Sequence, residues 1–265
     1  MKHWTIEDID WDKFDPSLVD PQIIPVIKTA SLVEYNGRHY AAYLHNIFND
    51  EPDFKELATE WAEEEVQHGV VLGKWAELAD PSFSFDASFR KFSDGYQIPL
   101  DKTTSVRGSR SGELIARCIV ETATSSMYTA LTEATKEPVL KQIAQKIAAD
   151  EFRHYKLFYD HFKVHNKQDK LNFFQRLSIV IKRILESQDD ELSYAFYAAN
   201  NIQTPYNRKA SNAEYARLSY QIYKPHHIER IIAMSFKPIG LNPHGKLSKI
   251  ALFAFTKFLN WQQKN

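Results

Sequence analysis

The chain has 265 residues, 43% of them hydrophobic and 25% charged, enough for one core and a smaller annex. A net charge of −1 gives no electrostatic footprint for nucleic acid, and the lone cysteine, Cys118, excludes an intrachain disulfide framework. No apolar stretch approaches membrane-spanning length and the N-terminus lacks an apolar signal core, so a soluble protein of the reducing cytoplasm is expected.

A first helix is predicted from about residue 22 to 49. Pro52 opens a second, which runs to about Ala79 before Asp80 and Pro81 stop it. From Pro81 to Gly108 the helical periodicity is lost; Phe83, Phe85, Phe89, Phe92 and Tyr96, with Gly95 and Pro99, read as a long crossover anchored by aromatics. A third helix follows from about Ser109 to Thr135, and Pro138 opens a fourth that reaches about His165. Further helices are expected at about 170–187, 189–203, 211–236 with a break at Pro225, and 245–262. The expected architecture is all-α and a single domain over 1–265. A four-helix bundle occupies about 22–165, with its long crossover between the second and third helices, and a helical annex occupies about 166–265.

On this frame the chain carries a repeated pattern. Glu34 on the first helix precedes Glu65 and His68 on the second by 31 residues, and Glu121 on the third precedes Glu151 and His154 on the fourth by 30. Three residues turn an α-helix by roughly 300°, so the glutamate and histidine of each Glu-x-x-His step share a face and can grip one ion. About one such step is expected by chance in a chain of this length, so either alone says little. Two steps, each following a lone glutamate at matched spacing, describe two similar helical hairpins, as an old duplication would leave. The pattern is that of a carboxylate-bridged dinuclear metal site inside a four-helix bundle. Four carboxylates cannot be buried ionised in one core without compensation, and two divalent cations would supply it. Oxygen and imidazole ligands without thiolate suit iron or manganese, and zinc fits the ligand types as well.

Two tight hairpins joined by a long crossover resemble the ferritin-like topology. The stretch from Trp61 to Gly69, with Leu72 and Trp75 beyond, resembles the second-helix motif of soluble acyl-[acyl carrier protein] desaturases, and Ile147 to His154 resembles their fourth-helix motif more closely. The resemblance covers roughly residues 30 to 165. It implies two iron ions, or a mixed manganese–iron pair, held by Glu34, Glu65, His68, Glu121, Glu151 and His154, with Glu65 and Glu151 bridging. It makes Asp150 and Glu64 acceptors for the outer ring N–H groups of the histidines, and Thr124, three residues after Glu121, a catalytic residue bordering an oxygen pocket. It also implies an oxygen-dependent oxidase that desaturates or hydroxylates an unactivated C–H bond, with a small-molecule or carrier-bound acyl substrate and a ferredoxin-type electron donor; a homodimer is compatible with it.

The sequence departs from that family where Gln67 stands in place of the usual arginine, and the first helix resembles it little. Arg38, four residues after Glu34, would either hydrogen-bond a ligand or a substrate carboxylate, or form a surface ion pair. Gly37, small where a core is usually filled, implies space beside the metals. Met127, Tyr128, Tyr155 and Phe158 would line a pocket or simply pack. Trp61, one turn before Glu65, would conduct electrons or fill the core. Cys118 reads as a buried inert thiol, and His226 and His227 have no ligand-spaced partner. A tail with Leu247, Ile250, Phe253, Phe258, Leu259 and Trp261 beside lysines would seat an acidic carrier, a membrane surface or a partner subunit, or pack internally. Two alternatives stand beside the oxidase. One is an iron-handling ferroxidase like ferritins and rubrerythrins. The other is a di-iron N-oxygenase, which would need a further histidine where this chain has Ile147.

Overall fold

The computed structural model describes residues 3–186, 190–200 and 205–262, with no side-chain detail at 190 or 258–262. The described chain is all-helical and contains no strand. Among these residues no helix is long and apolar enough to cross a membrane. The chain divides into two compact units that interleave in sequence: Met1–Thr103, Ala134–Lys146 and Gln188–Ser219 form one, and Thr104–Glu133, Ile147–Ser187 and Tyr220–Asn265 the other.

In the first unit, short 3-10 turns lead into α1 (Ile24–Tyr35), α2 (Gly37–Ile47) and α3 (Pro52–Ala79). The single first helix expected from the sequence is therefore broken. Asn36 leaves helical geometry at φ −77° and ψ 1°, and its N–H turns to the carbonyls of Val33 and Glu34. Both α1 and α2 pack on α3. Gly69 of α3 makes this possible, because a Cβ there would lie 2.5 Å from the backbone nitrogen of Tyr35.

The predicted crossover contains a helix, α4 (Phe85–Gly95), capped by the Ser84 hydroxyl, which accepts from the Ala87 N–H. Phe85, Phe89 and Phe92 fall at i, i+4 and i+7, a helical stripe that clustered aromatics disguise, and Phe85 and Phe89 stand edge-on to Tyr35 at 5.1 and 4.7 Å. Residues 96–109 remain a non-helical crossover. The unit is completed by α8 (Asp190–Ala199), which packs on α1, and α9 (Arg208–Ser219), which packs on α8. The predicted continuation of α8 through 201–203 lies outside the described residues.

The second unit contains α5 (Arg110–Ala134) and α6 (Pro138–Asp169) except for their ends at 134 and 138–146, together with α7 (Phe173–Glu186), α10 (Pro225–Ile239) and α11 (Lys246–Gln262). The expected break at Pro225 is present, since α9 ends at Ser219 and Pro225 begins α10. Gly240 closes α10 in the left-handed conformation at φ 87°. Arg230 of α10 reaches α5, donating to Ser125 Oγ at 2.8 Å and Thr129 Oγ1 at 3.2 Å. The N-terminus of α6 is held in the first unit by fully buried Glu137. Its carboxylate accepts from Val139 N, Leu140 N and the indole of Trp75.

Candidate metal centre

Each unit holds one buried triad. In the first, α1 supplies Glu34 and α3 supplies Glu65 and His68, all at most 7% exposed. His68 turns Nδ1 toward both carboxylates, 3.5 Å from Glu65 Oε2 and 4.0 Å from Glu34 Oε2. In the second, α5 supplies Glu121 and α6 supplies Glu151 and His154, again buried, with His154 Nδ1 3.5 Å from Glu121 Oε2. Within each triad one donor atom from every residue lies within 4.8 Å of the others, so each can hold a metal ion.

The separations are informative. At 3.5 to 4.0 Å the nitrogen and oxygen are too far apart for a strong hydrogen bond. Two donors each about 2.1 Å from a shared ion and subtending about 90–110° lie about 3.0–3.4 Å apart. The observed separations are somewhat wider than that, so each triad gathers its donors closely enough for an ion to draw them together without being a formed coordination shell. Two carboxylates and one imidazole also carry the charge that one divalent cation neutralises. The Glu-x-x-His spacing places donors of residues i and i+3 together in both units.

The two triads are supported differently. Trp4 stacks over His68, with ring centroids 6.0 Å apart and planes 9° from parallel. Its carbonyl in turn accepts from Gln67 Nε2 at 3.0 Å, so the residue that departs from the desaturase pattern anchors the N-terminal segment. In the second triad the Thr124 hydroxyl donates to Glu151 Oε2, while its other contacts, at 3.3 Å, are the carbonyls of Val120 and Glu121. Thr124 thus touches a ligand carboxylate directly. Cys118 is fully buried, and burial followed by the nearby Glu121 charge pushes its thiol well above the ordinary range, leaving it inert.

The remaining expected site residues are placed as follows. Arg38 is no pocket residue: it is exposed and forks onto Glu63 at 2.7 and 2.8 Å, because the break at Asn36 removes it from the helix that carries Glu34. Gly37 leaves no space, since a Cβ there would meet Glu65 Cβ at 2.6 Å; the small residue serves close helix approach. Met127, Tyr128, Tyr155 and Phe158 are buried, and Tyr155 donates its hydroxyl to the Met234 carbonyl at 2.8 Å. Burial, with Cys118 close by, raises the Tyr155 phenol so that it stays protonated. Trp61 is buried on α3. Asp150 is buried beside the Arg153 guanidinium, and Glu64 pairs with His3 Nδ1 at 2.8 Å.

Sequence reasoning missed Trp4 and the partner of the His226–His227 pair. Glu133 Oε1 lies 2.9 Å from His226 Nε2 and 3.2 Å from His227 Nε2, and these three could also hold an ion. Two facts oppose a metal there. Lys224 Nζ already compensates Glu133 at 3.0 Å. His227 Nδ1 also accepts the Lys224 N–H at 3.0 Å, which puts the proton of a neutral ring on Nε2, where a metal would need a lone pair. The carboxyl of Glu133 is held down to about 2, chiefly by His226 and then Lys224. No local sequence signal joins Glu133 to histidines more than ninety positions away.

Comparison with models of known protein families gives no match, and comparison with curated proteins gives none.

Proposed function

We propose that the chain is a ferritin-like di-iron carboxylate protein that uses dioxygen to oxidise an unactivated C–H bond, by desaturation or hydroxylation, in a fatty acyl substrate. The observation that carries the metal part is the pair of buried Glu, Glu-x-x-His triads, each with its histidine Nδ1 turned to carboxylates at 3.5 to 4.0 Å. In this reading Glu34, Glu65, His68, Glu121, Glu151 and His154 would together hold two iron ions, Glu65 and Glu151 being the carboxylates that would serve both; the matched spacing in the two halves of the chain supports this. Manganese in one position fits the same donors. The bound ions would supply the reduction of dioxygen.

The chain's own groups have definable tasks in this reading. Thr124 fixes the orientation of the Glu151 carboxylate through its hydroxyl. Trp4 covers one face of the His68 ring and limits its rotation. Asp150 and Glu64 set the histidine orientation as acceptors, a role their burial or partial burial suits. Tyr155, whose proton is committed to Met234, contributes apolar surface and no proton transfer. Met127, Tyr128 and Phe158 keep water out of the α5–α6 side of the second unit. Trp61 is the assigned electron relay from a ferredoxin-type donor.

The test is reconstitution with ferrous iron under anaerobic conditions. Elemental analysis is expected to give about two ions per chain, and the oxidised protein should be silent in low-temperature EPR because the ferric ions couple. Isolated high-spin ferric signals would sink the shared centre. Exposure to dioxygen with an acyl panel should give a desaturated or hydroxylated product by mass spectrometry. Mineralisation of many irons per chain without organic product would replace the oxidase with a ferroxidase.

A further inference from the structure

The second unit presents apolar side chains where its helices should be polar. Helix α7 buries Ile179 and Val180, yet its opposite side carries Phe174, Ile181 and Leu185 at i, i+7 and i+11, exposed by 76%, 48% and 69%. Helix α11 repeats the arrangement. Ala251, Leu252 and Phe255 pack on the Ile228 and Ile232 cluster of α10, while Leu247, Ile250 and Phe253 face outward, exposed by 57%, 63% and 67%. An ordinary surface helix has one apolar stripe, toward the core. These two have a second, and scattered single exposures do not explain three residues aligned on each of two helices.

The charge around these stripes is predominantly basic; the one acidic residue of α7, Glu186, is paired with Arg107. Exposed Lys182 flanks the α7 stripe, and exposed Lys246, Lys249 and Lys257 interleave with that of α11. No acidic residue occurs from 230 to 265. The near-neutral total of the chain, −1, therefore hides a basic C-terminal region. Large apolar side chains set among lysines, on helices too polar to span a bilayer, describe elements that lie in the interface of an anionic membrane. An acidic carrier protein would satisfy the lysines but leave most of the hydrocarbon in water.

We infer that the exposed faces of α7 and α11 seat the second unit on an anionic lipid surface, the apolar side chains entering the acyl boundary and the lysines meeting headgroup phosphates. Phe258, Leu259 and Trp261, which would prolong the α11 stripe, lie outside the described side chains and the inference does not use them. It is independent of the metal reading, since none of these residues belongs to either triad.

The experiment is co-sedimentation of the full chain with vesicles of equimolar phosphatidylglycerol and phosphatidylcholine, beside pure phosphatidylcholine. Binding is expected to the anionic vesicles, to fall with added salt, and to drop by about 10-fold in Ile250→Ser/Phe253→Ser and again in Ile181→Ser/Leu185→Ser. Because these side chains are largely exposed, both variants should keep the wild-type melting temperature, which circular dichroism checks. Absence of binding to anionic vesicles at low salt overturns the inference, as does binding that either double variant leaves unchanged. So does a wild-type dimer dissolved by the same substitutions, which would give the face to a second copy, or capture of an acidic acyl carrier protein in place of vesicles.

Discussion

The two triads present the same donors on unlike supports. In the first unit the glutamate helix stops at Tyr35, one residue after Glu34, and Gly37 and Gly69 let α2 and α1 close on α3 at distances no side chain would allow. In the second, α5 runs unbroken past Glu121 through Ala134, and a hydroxyl, Thr124, holds the opposing carboxylate. One triad is positioned by backbone contact and the other by a hydrogen bond. A repeated ligand pattern therefore does not imply a repeated scaffold, and the halves should fail in different ways.

The largest effect tests whether the triads are separable. If the proposed centre draws on both triads, Glu65→Ala and Glu151→Ala are each expected to lower iron content to less than about one ion per chain. Loss of one ion only, by elemental analysis, would show the triads to be independent. Glu65→Gln and Glu151→Gln keep the side-chain volume and serve as folding controls.

Next comes the backbone support of the first triad. Gly69→Ala forces a Cβ against the Tyr35 nitrogen and is expected to cost about 1–3 kcal/mol in urea unfolding, the usual penalty for overpacking. A wild-type unfolding midpoint would mean that α1 can retreat from α3 without loss.

The hydroxyl support of the second triad should yield more selectively. Thr124→Val retains the branched shape but not the donor, so the fold should persist while ferrous affinity weakens by about 10- to 100-fold. Thr124→Ser should restore affinity. Equal affinity in the valine protein would reduce Thr124 to packing.

The smallest effect lies away from both triads, in the first unit. Lys28, then Ser82, hold the Asp80 carboxyl down to about 2 from 3.8, through a lysine contact of 2.6 Å. The folded state depresses this group, so its contribution is present above pH 3.8 and is lost as pH falls toward 2. Asp80→Asn is expected to cost about 1–2 kcal/mol at neutral pH, after allowance for partial exposure, and the difference should vanish near pH 2. A pH-independent difference would assign Asp80 to helix capping alone.

Local rules carried much of this protein into the sequence. Pro52 and Pro138 announced helix starts because proline tolerates the first helical turn, Pro225 announced a break, and the three-residue step from Glu65 to His68 and from Glu151 to His154 placed donors together because helical pitch alone decides it. Charge balance then pointed to metal, since carboxylates in that number are costly to bury. What lay between elements was not legible. The break at Asn36 sends Arg38 to the surface and presses Gly37 on Glu65, and Trp4 covers a histidine 64 positions away. Glu133 meets His226 and His227 across more than ninety residues. The exposed stripes of α7 and α11 have the same character, for a helix with apolar residues on two faces discloses which one is buried only when its neighbour is in place. Periodicity is a property of the chain, whereas contact between distant segments depends on how side chains of given volume pack, and no local pattern encodes that.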